Sequence, residues 1–279
     1  MVKCVKEAFD ASDLQRSKRA NRNSENRRRE ASILGKLDGK RAFITGAGGG
    51  IGAAIARLFA QEGALVALAD INGPLVAETA AGISGAKATT VDVRNRVAVH
   101  AAVDDFAGEG LDILVNNAVA FHYAPLTEMP EDIIDRMLDV GIKGTFWATQ
   151  AATPHLVRRG GGSIINLSSV AVSFAIKHAA VYASIKGAID TFTRQQAVEL
   201  GVHGIRVNAL APGAVETPGA SSVIDAEGWE KRRAMTPLGR LVTDCEVAEA
   251  AVFLAGDSGA SIAGVTLKID AGITIAGPR

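Results

Sequence analysis

The chain of 279 residues is long enough for one large α/β domain or two small ones. Hydrophobic residues make up 48% of it, which is enough apolar side chain for a substantial core. Lys and Arg together number 30, and so do Asp and Glu, so the overall charge gives no indication of a nucleic acid or another polyanion as partner.

The two cysteines, Cys4 and Cys245, are too far apart in sequence to indicate a metal site, and a structural disulfide is not expected. This cysteine usage fits a reducing compartment. No apolar run approaches the roughly 18 residues of a membrane-spanning helix, and the N-terminus lacks the apolar segment of a secretory signal. Composition therefore predicts a soluble, cytoplasmic protein without a metal ion or a membrane partner.

The first 38 residues differ in character from the rest of the chain. They carry ten Lys and Arg against six Asp and Glu, a local net charge of +4, and they show no sustained apolar periodicity. We predict a flexible basic extension over residues 1–38, followed by a single domain over residues 39–279. A contact with nucleic acid or an anionic surface, or a targeting segment, are the alternatives for the extension.

From Lys40 onward, apolar strands alternate with helical patterns. Continuous runs of Val, Ile, Leu and Ala are typical of parallel strands that helices cover on both faces. The pattern predicts strands at Arg41–Thr45, Ala64–Asp70, Ala86–Val91, Leu111–Asn116, Ser163–Ser168, Ile205–Leu210 and Val265–Ile269. It predicts helices at Ile51–Phe59, Arg94–Ala107, Glu131–Val157, Val181–Leu200 and Asp244–Ala255. With right-handed crossovers, this order predicts an α/β fold with a Rossmann-like, doubly wound parallel sheet in a single domain.

A glycine-rich segment, TGAGGGIG at residues 45–52, follows the first predicted strand and opens the first helix. In that context Gly46 permits a tight turn, Gly50 lets the backbone approach a pyrophosphate, and Gly52 permits close packing of the helix on the strand. The helix N-terminus at Ile51 offers free N–H groups and a favourable dipole to phosphates. The segment therefore predicts a dinucleotide-binding site.

Acidic and polar residues follow the next strands, at the sheet edge where ligands of such folds bind. Asp70 ends the second strand, where its carboxylate can accept hydrogen bonds from the hydroxyls of an adenosine ribose and repel a 2′-phosphate. Because the glycine loop and the two residues after Asp70 contain no Lys or Arg, we predict NAD(H) rather than NADP(H) as the cofactor. Asp92, with Val93 beside it, is predicted to receive the adenine amino group, and Asn116 to lock the loop beneath the cofactor.

A tyrosine and a lysine four residues apart, Tyr182 and Lys186, lie on one face of a predicted helix, and Ser169 lies just beyond a strand end. Transfer of a hydride to a carbonyl requires a proton for the alkoxide, but a free tyrosine, with a pKa of about 10, is a poor base near neutral pH. A nearby ammonium group favours the phenolate. We therefore predict that Tyr182 is the acid–base residue, that Lys186 lowers its pKa, and that Ser169 holds the substrate oxygen.

Taken together, these segments resemble the classical short-chain dehydrogenase/reductase family over about residues 37–272. The resemblance is carried by Thr45–Gly52, Asn116-Asn117-Ala118, Ser169, the segment YASIK at residues 182–186, Pro212-Gly213 and Asp270-Ala271-Gly272. It implies that Lys186 binds the nicotinamide ribose and that the nicotinamide pocket is lined by Pro212, Gly213, Val215 and Thr217. It also implies that the two long helices pair in a homodimer or homotetramer.

Two positions depart from the family pattern. Gly141 stands where the family usually has an asparagine that helps to bind a water in a proton relay to the lysine, and Val119 replaces the glycine that usually follows Asn-Asn-Ala. The carbonyl of Gly141 can still bind water, but a glycine weakens a helix by about 1 kcal/mol. We expect Ser169, Tyr182 and Lys186 to keep their arrangement and the relay to be altered.

The segments predicted to form the substrate pocket, residues 120–122, 170–178 and 214–235, are largely apolar. We therefore predict an NAD-dependent alcohol dehydrogenase or ketoreductase that acts on a hydrophobic or cyclic secondary alcohol or ketone. Two alternatives stay open. One is a 3-oxoacyl thioester reductase, which usually prefers NADPH, so that Asp70 argues against it. The other is a cofactor-sensing binding protein with weak catalysis, for which Gly141 is the only feature.

Overall fold

The computed structural model of the chain describes residues 35–108 and 110–276. Its strands are Arg41–Thr45 (β1), Leu65–Asp70 (β2), Lys87–Thr90 (β3), Ile113–Asn116 (β4), Gly162–Leu167 (β5), Ile205–Pro212 (β6) and Thr266–Ile269 (β7). They form one sheet in the order β3-β2-β1-β4-β5-β6-β7, with every neighbouring pair parallel. The predicted Rossmann-like parallel sheet is therefore confirmed.

Helices connect the strands and cover the sheet on both faces. They are Gly50–Gln61 (α1), Gly73–Ala81 (α2), Arg96–Phe106 (α3), Glu131–Leu138 (α4), Gly144–Arg159 (α5), Ala180–Gly201 (α6), Pro218–Ser221 (α7), Ala226–Met235 (α8) and Asp244–Ala255 (α9). Short 3₁₀ turns lie at Leu126–Glu128, Val170–Val172, Asp257–Gly259 and Ile273–Ile275. One apolar cluster includes side chains of α1, α2 and α9, and a second includes side chains of α3, α5 and α6. Burial on both faces explains why the strands carry continuous apolar runs.

The predicted helix Glu131–Val157 is interrupted. A π turn at Asp139–Lys143 separates α4 from α5, and within it the N–H of Gly144 bonds the carbonyl oxygen of Asp139. Gly141 lies at the centre of this turn and is buried. Such turns inside helices are frequent at functional sites, and this one faces the helix that carries Tyr182.

The fold begins before the predicted domain boundary. Leu37 is fully buried in the core, and its N–H donates to the carbonyl oxygen of Glu62 at 2.9 Å. Residues 35–38, which the sequence assigned to the basic extension, are therefore part of the domain. The rest of the predicted extension, residues 1–34, lies outside the described residues. Within the described part of the chain, no helix combines the length and apolarity needed to cross a membrane, and the cytoplasmic location stays a prediction.

The order of the strands reverses between β1 and β4, and this creates the crevice at which ligands bind in open parallel sheets. The chain leaves β1 toward β2 and β3 on one side, and it returns to β4 and continues toward β7 on the other. Residues that follow the carboxyl ends of the strands therefore converge on one edge of the sheet. All the motif residues predicted from the sequence lie at that edge or on the helices that start there.

Candidate active site

The glycine-rich segment turns sharply between β1 and α1. Gly46 has a φ of 64°, which residues with a side chain rarely adopt. A Cβ on Gly52 would lie only 2.4 Å from the carbonyl oxygen of Gly46, so glycine is required for α1 to pack this closely on the loop. Gly50 begins α1, and the side chain of Ile51 packs against the core. This geometry leaves backbone N–H groups at the N-terminus of α1, and their binding to a phosphate stays a prediction.

Asn117, and not Asn116, holds this loop in place. Its Nδ2 donates hydrogen bonds to the carbonyl oxygens of Thr45 and Gly46, at 3.1 and 2.7 Å. Asn116 is buried, and its Nδ2 donates to Asn166 Oδ1 at 2.8 Å. The prediction that Asn116 locks the loop is therefore wrong. Successive side chains at a strand end point to opposite faces, so only one of two neighbouring asparagines can reach the loop.

Asp70 ends β2 and is fixed against the glycine loop. Its Oδ2 accepts a hydrogen bond from the N–H of Gly48 at 3.0 Å, and its Oδ1 accepts one from the N–H of Asn72 at 2.9 Å. The cap of α2 is Asn72, whose side chain accepts from the N–H of Leu75, so Asp70 is not needed as a helix cap. The carboxylate is thus held at the position where the sequence places the adenosine ribose.

Asp92 and Val93 follow β3 in different environments. The side chain of Arg94 bonds both carboxylate oxygens of Asp92, with its Nη2 2.6 Å from Oδ2. These hydrogen bonds hold the pKa of Asp92 below its ordinary value, so the carboxylate stays charged. Val93 is buried in the core and packs against Gly144, so its side chain is not available to a ligand. Only the backbone of Val93 remains for the predicted adenine contact.

The segment after β6 approaches the glycine loop from the opposite side. Pro212 ends β6, and Gly213 continues the ladder by bonding to β7. Val215 is buried. Thr217 caps α7 with its hydroxyl, and a Cβ on Gly50 would lie 3.2 Å from its methyl group. The structure therefore brings together the two segments that the sequence assigned to the phosphates and to the nicotinamide.

A cavity of about 380 Å³ lies between these two segments. Gly48, Gly49 and Gly50 form part of one wall, and Thr217 and Pro218 form part of the other. The cavity adjoins the N-terminus of α1, where backbone N–H groups have no partner within the helix. Its position suits the pyrophosphate of a dinucleotide.

Ser169, Tyr182 and Lys186 come together at the carboxyl end of β5. Lys186 is buried, and its Nζ donates to the carbonyl oxygen of Leu167 at 2.6 Å. The same Nζ lies 5.7 Å from the centre of the Tyr182 ring. Ser169 follows β5, and its Oγ accepts a hydrogen bond from the N–H of Ala171 at 3.2 Å. The end of β5 thus positions Ser169, and one turn of α6 positions Tyr182 and Lys186 beside it.

The electrostatics of this group differ from the prediction. Burial raises the pKa of Tyr182 above its ordinary value, the neighbouring Tyr123 raises it further, and the Ser169 side chain offsets only part of the rise. Burial also lowers the pKa of Lys186 to about 8, because an ammonium group is costly away from water. The net effect of the surrounding groups is therefore to raise the pKa of Tyr182, and Lys186 is not among the groups that lower it.

Tyr123 is an active-site neighbour that the sequence motifs did not indicate. Its ring lies 5.8 Å from the ring of Tyr182 in perpendicular orientation, and Phe121 lies 6.4 Å from Tyr182. Burial raises the pKa of Tyr123, and the charge of Arg232 lowers it. The one sequence feature that singles out Tyr123 is its rarity, because Tyr123 and Tyr182 are the only two tyrosines of the chain. The rings of Phe121, Tyr123 and Tyr182 thus form an aromatic wall at this end of β5.

The fold and this site together define an oxidoreductase of the dinucleotide-binding class. A family model described as Enoyl-(Acyl carrier protein) reductase matches residues 46–274. D-threitol dehydrogenase from Mycolicibacterium smegmatis is 37% identical over 246 residues, which cover 86% of this chain and 95% of that enzyme. The chain therefore belongs to the short-chain dehydrogenase/reductase family, whose members act on alcohol and keto groups.

Solved structures of this family share the whole fold with the chain. One is 7α-hydroxysteroid dehydrogenase complexed with NADH and 7-oxo glycochenodeoxycholic acid, with a TM-score of 0.82, 35% identity, and coverage of 85% of this chain and 94% of that one. Another is gluconate 5-dehydrogenase from Burkholderia cenocepacia in complex with NADP and tartrate, with a TM-score of 0.81, 37% identity, and coverage of 86% and 97%. These similar enzymes differ in both cofactor and substrate.

Proposed function

We propose that the protein is an NAD(H)-dependent oxidoreductase that interconverts a secondary alcohol and a ketone on a hydrophobic or cyclic small molecule. The observation that carries the proposal is the grouping of Ser169, Tyr182 and the buried Lys186 at the end of β5. In this group Ser169 and Lys186 are buried, and the Lys186 Nζ lies 5.7 Å from the centre of the Tyr182 ring. Such a set can hold a carbonyl oxygen and exchange a proton with it.

Tyr182 is the acid–base group in this proposal. In reduction its hydroxyl gives a proton to the substrate oxygen and becomes a phenolate, and in oxidation the phenolate takes a proton from the alcohol. Its raised pKa keeps the hydroxyl protonated at neutral pH, which suits the reductive direction. A bound nicotinamide would supply the hydride chemistry and, in its oxidised form, a positive charge. Ser169 holds the substrate oxygen within reach of the Tyr182 hydroxyl.

The residues present fit a dinucleotide cofactor. The cavity beside Gly48, Gly49 and Gly50, at the N-terminus of α1, would hold the phosphates. Asp70 would accept hydrogen bonds from the adenosine ribose at one end. Lys186 and Thr217 would bind the nicotinamide ribose and carboxamide at the other end.

NAD(H) is the preferred cofactor in this proposal because of the charge at Asp70. The carboxylate, fixed by the N–H groups of Gly48 and Asn72, would repel a 2′-phosphate. No Lys or Arg occurs at residues 45–52 or 71–72 to neutralise that phosphate.

A hydrophobic or cyclic substrate follows from the aromatic wall. Phe121, Tyr123 and Tyr182 have ring centres 5.8 to 6.4 Å apart, so two aromatic rings lie beside the ring that carries the proposed acid–base hydroxyl. Flat apolar rings of this kind gain most from an apolar ligand that covers their faces.

A coupled screen of cofactors and substrates tests the proposal. The purified protein is assayed with NAD⁺ and NADP⁺ against cyclic, aromatic, linear and polyol alcohols, and with the reduced cofactors against ketones and 3-oxoacyl thioesters. We expect NAD⁺-dependent oxidation of a cyclic or aromatic alcohol that is lost in Tyr182→Phe. Turnover restricted to thioesters with NADPH would favour the thioester reductase, whereas NADH binding without any turnover would favour a cofactor sensor.

We further propose that the protein forms a homodimer or homotetramer through α5 and α6. Phe146 on α5 and Phe192 on α6 have ring centres 4.7 Å apart, and 38% of Phe146 is exposed. The neighbouring Trp147 packs against the core, so α5 is apolar on two faces. A helix apolar on two faces is usually buried on two faces. Light scattering after size exclusion tests this, and a stable, fully active monomer at micromolar concentration would contradict it.

A further inference from the structure

Gly141 and Ile185 share one space between the π turn and α6. A Cβ on Gly141 would lie 2.5 Å from Cγ2 and 3.5 Å from Cδ1 of Ile185. Ile185 belongs to α6, directly before Lys186 and three residues after Tyr182. The branch of Ile185 therefore occupies the volume that a side chain at position 141 would need.

Neither partner can easily give way. Ile185 is 2% exposed, and its Cγ2 is bonded directly to Cβ, where a β-branched residue on a helix has little rotational freedom. Gly144, directly after the turn, packs so closely on Val93 that a Cβ there would lie 2.8 Å from Val93 Cγ2. The turn and the start of α5 thus pack closely on both Ile185 and Val93.

Ile185 also links the turn to the catalytic tyrosine through packing. It belongs to a small apolar cluster with Met129, Met137, Val181 and Ile189, against which the ring of Tyr182 packs. This cluster joins α4 and the turn to the first half of α6. The position of Tyr182 relative to the sheet therefore depends on how closely α6 sits on the turn.

We propose that Ile185 is a positioning residue for Tyr182 and Lys186, and that glycine at position 141 is required because the Ile185 branch fills its side-chain space. The inference rests on the proposed roles of Tyr182 and Lys186. It also gives a physical meaning to the departure at Gly141. The space of the family's usual asparagine is taken by Ile185, and the Gly141 carbonyl accepts a hydrogen bond from Thr145 Oγ1 at 2.9 Å.

In this proposal, a methyl group at position 141 pushes α6 away from the π turn. Ordinary contact begins near 3.4 Å, so a separation of 2.5 Å requires the two elements to part by roughly 1 Å. A displacement of that size at a catalytic group costs about 100-fold in rate. We therefore expect Gly141→Ala to lower kcat by about 100-fold while KM for the alcohol changes little.

The experiment compares Gly141→Ala with Gly187→Ala and with the double variant Gly141→Ala/Ile185→Ala. A Cβ on Gly187 meets nothing within 4 Å, so this variant makes the same chemical change on α6 without a clash. We expect Gly187→Ala to keep the wild-type kcat. We expect the double variant to recover most of the kcat that Gly141→Ala loses. Equal rates for the two single variants, or no recovery in the double variant, would overturn the proposal.

A second pair of variants decides the matter if Gly141→Ala does not fold. Ile185→Val keeps the Cγ2 methyl that faces Gly141, whereas Ile185→Leu has no branch at Cβ. We expect the valine variant to keep kcat and the leucine variant to lose it at nearly constant KM. Equal kcat values for both variants would overturn the positioning role.

Failure of the proposed function is distinguishable from failure of this inference. If the wild-type protein turns over no alcohol or ketone, the proposed function fails. The same variants are then compared by NADH affinity, measured from nicotinamide fluorescence, because Lys186 is the proposed ribose contact. Weaker NADH binding in Gly141→Ala than in Gly187→Ala, restored in the double variant, would still support the role of Ile185. Equal NADH affinities would overturn it.

Discussion

The two halves of the sheet's carboxyl edge are constructed by different means. Over β1 and β2, the site consists mainly of backbone. Gly46 and Gly52 allow the loop after β1 and helix α1 to pack closely on each other, and Asn117 fixes the loop by hydrogen bonds. Over β5 and α6, it consists of side chains, and burial determines the pKa of Tyr182 and Lys186. We call the part over β1 and β2 the steric half, because close packing of its backbone determines its shape, and a glycine pattern in the sequence reveals such packing. We call the part over β5 and α6 the chemical half. Desolvation determines the pKa of its side chains, and the spacing of residues in the sequence does not reveal desolvation.

Tyr182→Phe tests the chemical half most directly. It removes one hydroxyl and keeps the ring that packs against Phe121 and Tyr123. Loss of a positioned acid–base group costs about 10²- to 10⁴-fold in kcat, whereas binding of the cofactor should survive. Steady-state rates and NADH fluorescence titration give the two values.

The matched control is Tyr123→Phe, which removes a hydroxyl from the neighbouring ring without touching the proposed acid–base group. We expect it to keep most of the wild-type kcat. If Tyr182→Phe keeps more than about a tenth of the rate, general acid–base catalysis by this residue is excluded.

Lys186→Met tests whether burial dominates the chemical half. The pKa of Lys186 is about 8 in the folded chain, against an ordinary value of 10.5. Between these values the unfolded chain binds more protons, so wild-type stability rises with pH from about 8 to about 10.5. Below pH 8 the buried ammonium costs stability, and its removal should stabilise the fold by up to about 3 kcal/mol at pH 7.

Urea unfolding at several pH values checks this expectation. The exposed Lys231, which pairs with Glu227, provides the control variant Lys231→Met. We expect Lys231→Met to keep the alkaline rise in stability and Lys186→Met to lose it. Parallel stability curves for wild type and Lys186→Met would show that desolvation of Lys186 is small.

The contrast between the halves also explains what the sequence could predict. The seven strands in chain order, the place of Asp70 at the end of β2 and the location of Tyr182 and Lys186 on one helix follow from periodicity and spacing, and the structure has them as predicted. The choice between Asn116 and Asn117 depends on which face a strand end presents, and spacing leaves that open. The buried Leu37 precedes the first strand in a segment without apolar periodicity.

The π turn at Gly141 and the position of Tyr123 depend on tertiary packing. The turn forms where Ile185, from a distant segment, packs against a residue without a side chain. Tyr123 meets Tyr182 because the loop after β4 folds over α6, and one of its N–H groups, that of Ala124, bonds the carbonyl oxygen of His178. Neither the contact of Gly141 with Ile185 nor that of Tyr123 with Tyr182 can be predicted from the residues next to it in the sequence.

Gly52→Ala tests the steric half. The added Cβ would lie 2.4 Å from the carbonyl oxygen of Gly46 and 2.5 Å from Nδ2 of Asn117. Relief of such overpacking costs about 1–3 kcal/mol and distorts the loop, so we expect NADH to bind about ten- to a hundredfold more weakly. Gly201→Ala is the matched control, because a Cβ there would meet nothing within 4 Å and Gly201 does not line the cavity beside the glycine loop. Equal affinities for the two variants would mean that close approach does not govern this half.

Asp70 is a charged side chain in the steric half. Of the substitutions proposed here, its replacement has the smallest expected effect, a change in cofactor affinity. Asp70→Ala removes the acceptor for two ribose hydroxyls and the repulsion of a 2′-phosphate, so NADH should bind about tenfold more weakly and the preference over NADPH should narrow. Asp70→Asn keeps an acceptor for the N–H of Gly48 and removes only the charge. If repulsion sets the preference, the asparagine variant should narrow it as much as the alanine variant while it keeps more NADH affinity. Fluorescence titration of both cofactors gives these ratios, and equal affinities for NADH and NADPH in the unmutated protein would refute the proposed selectivity.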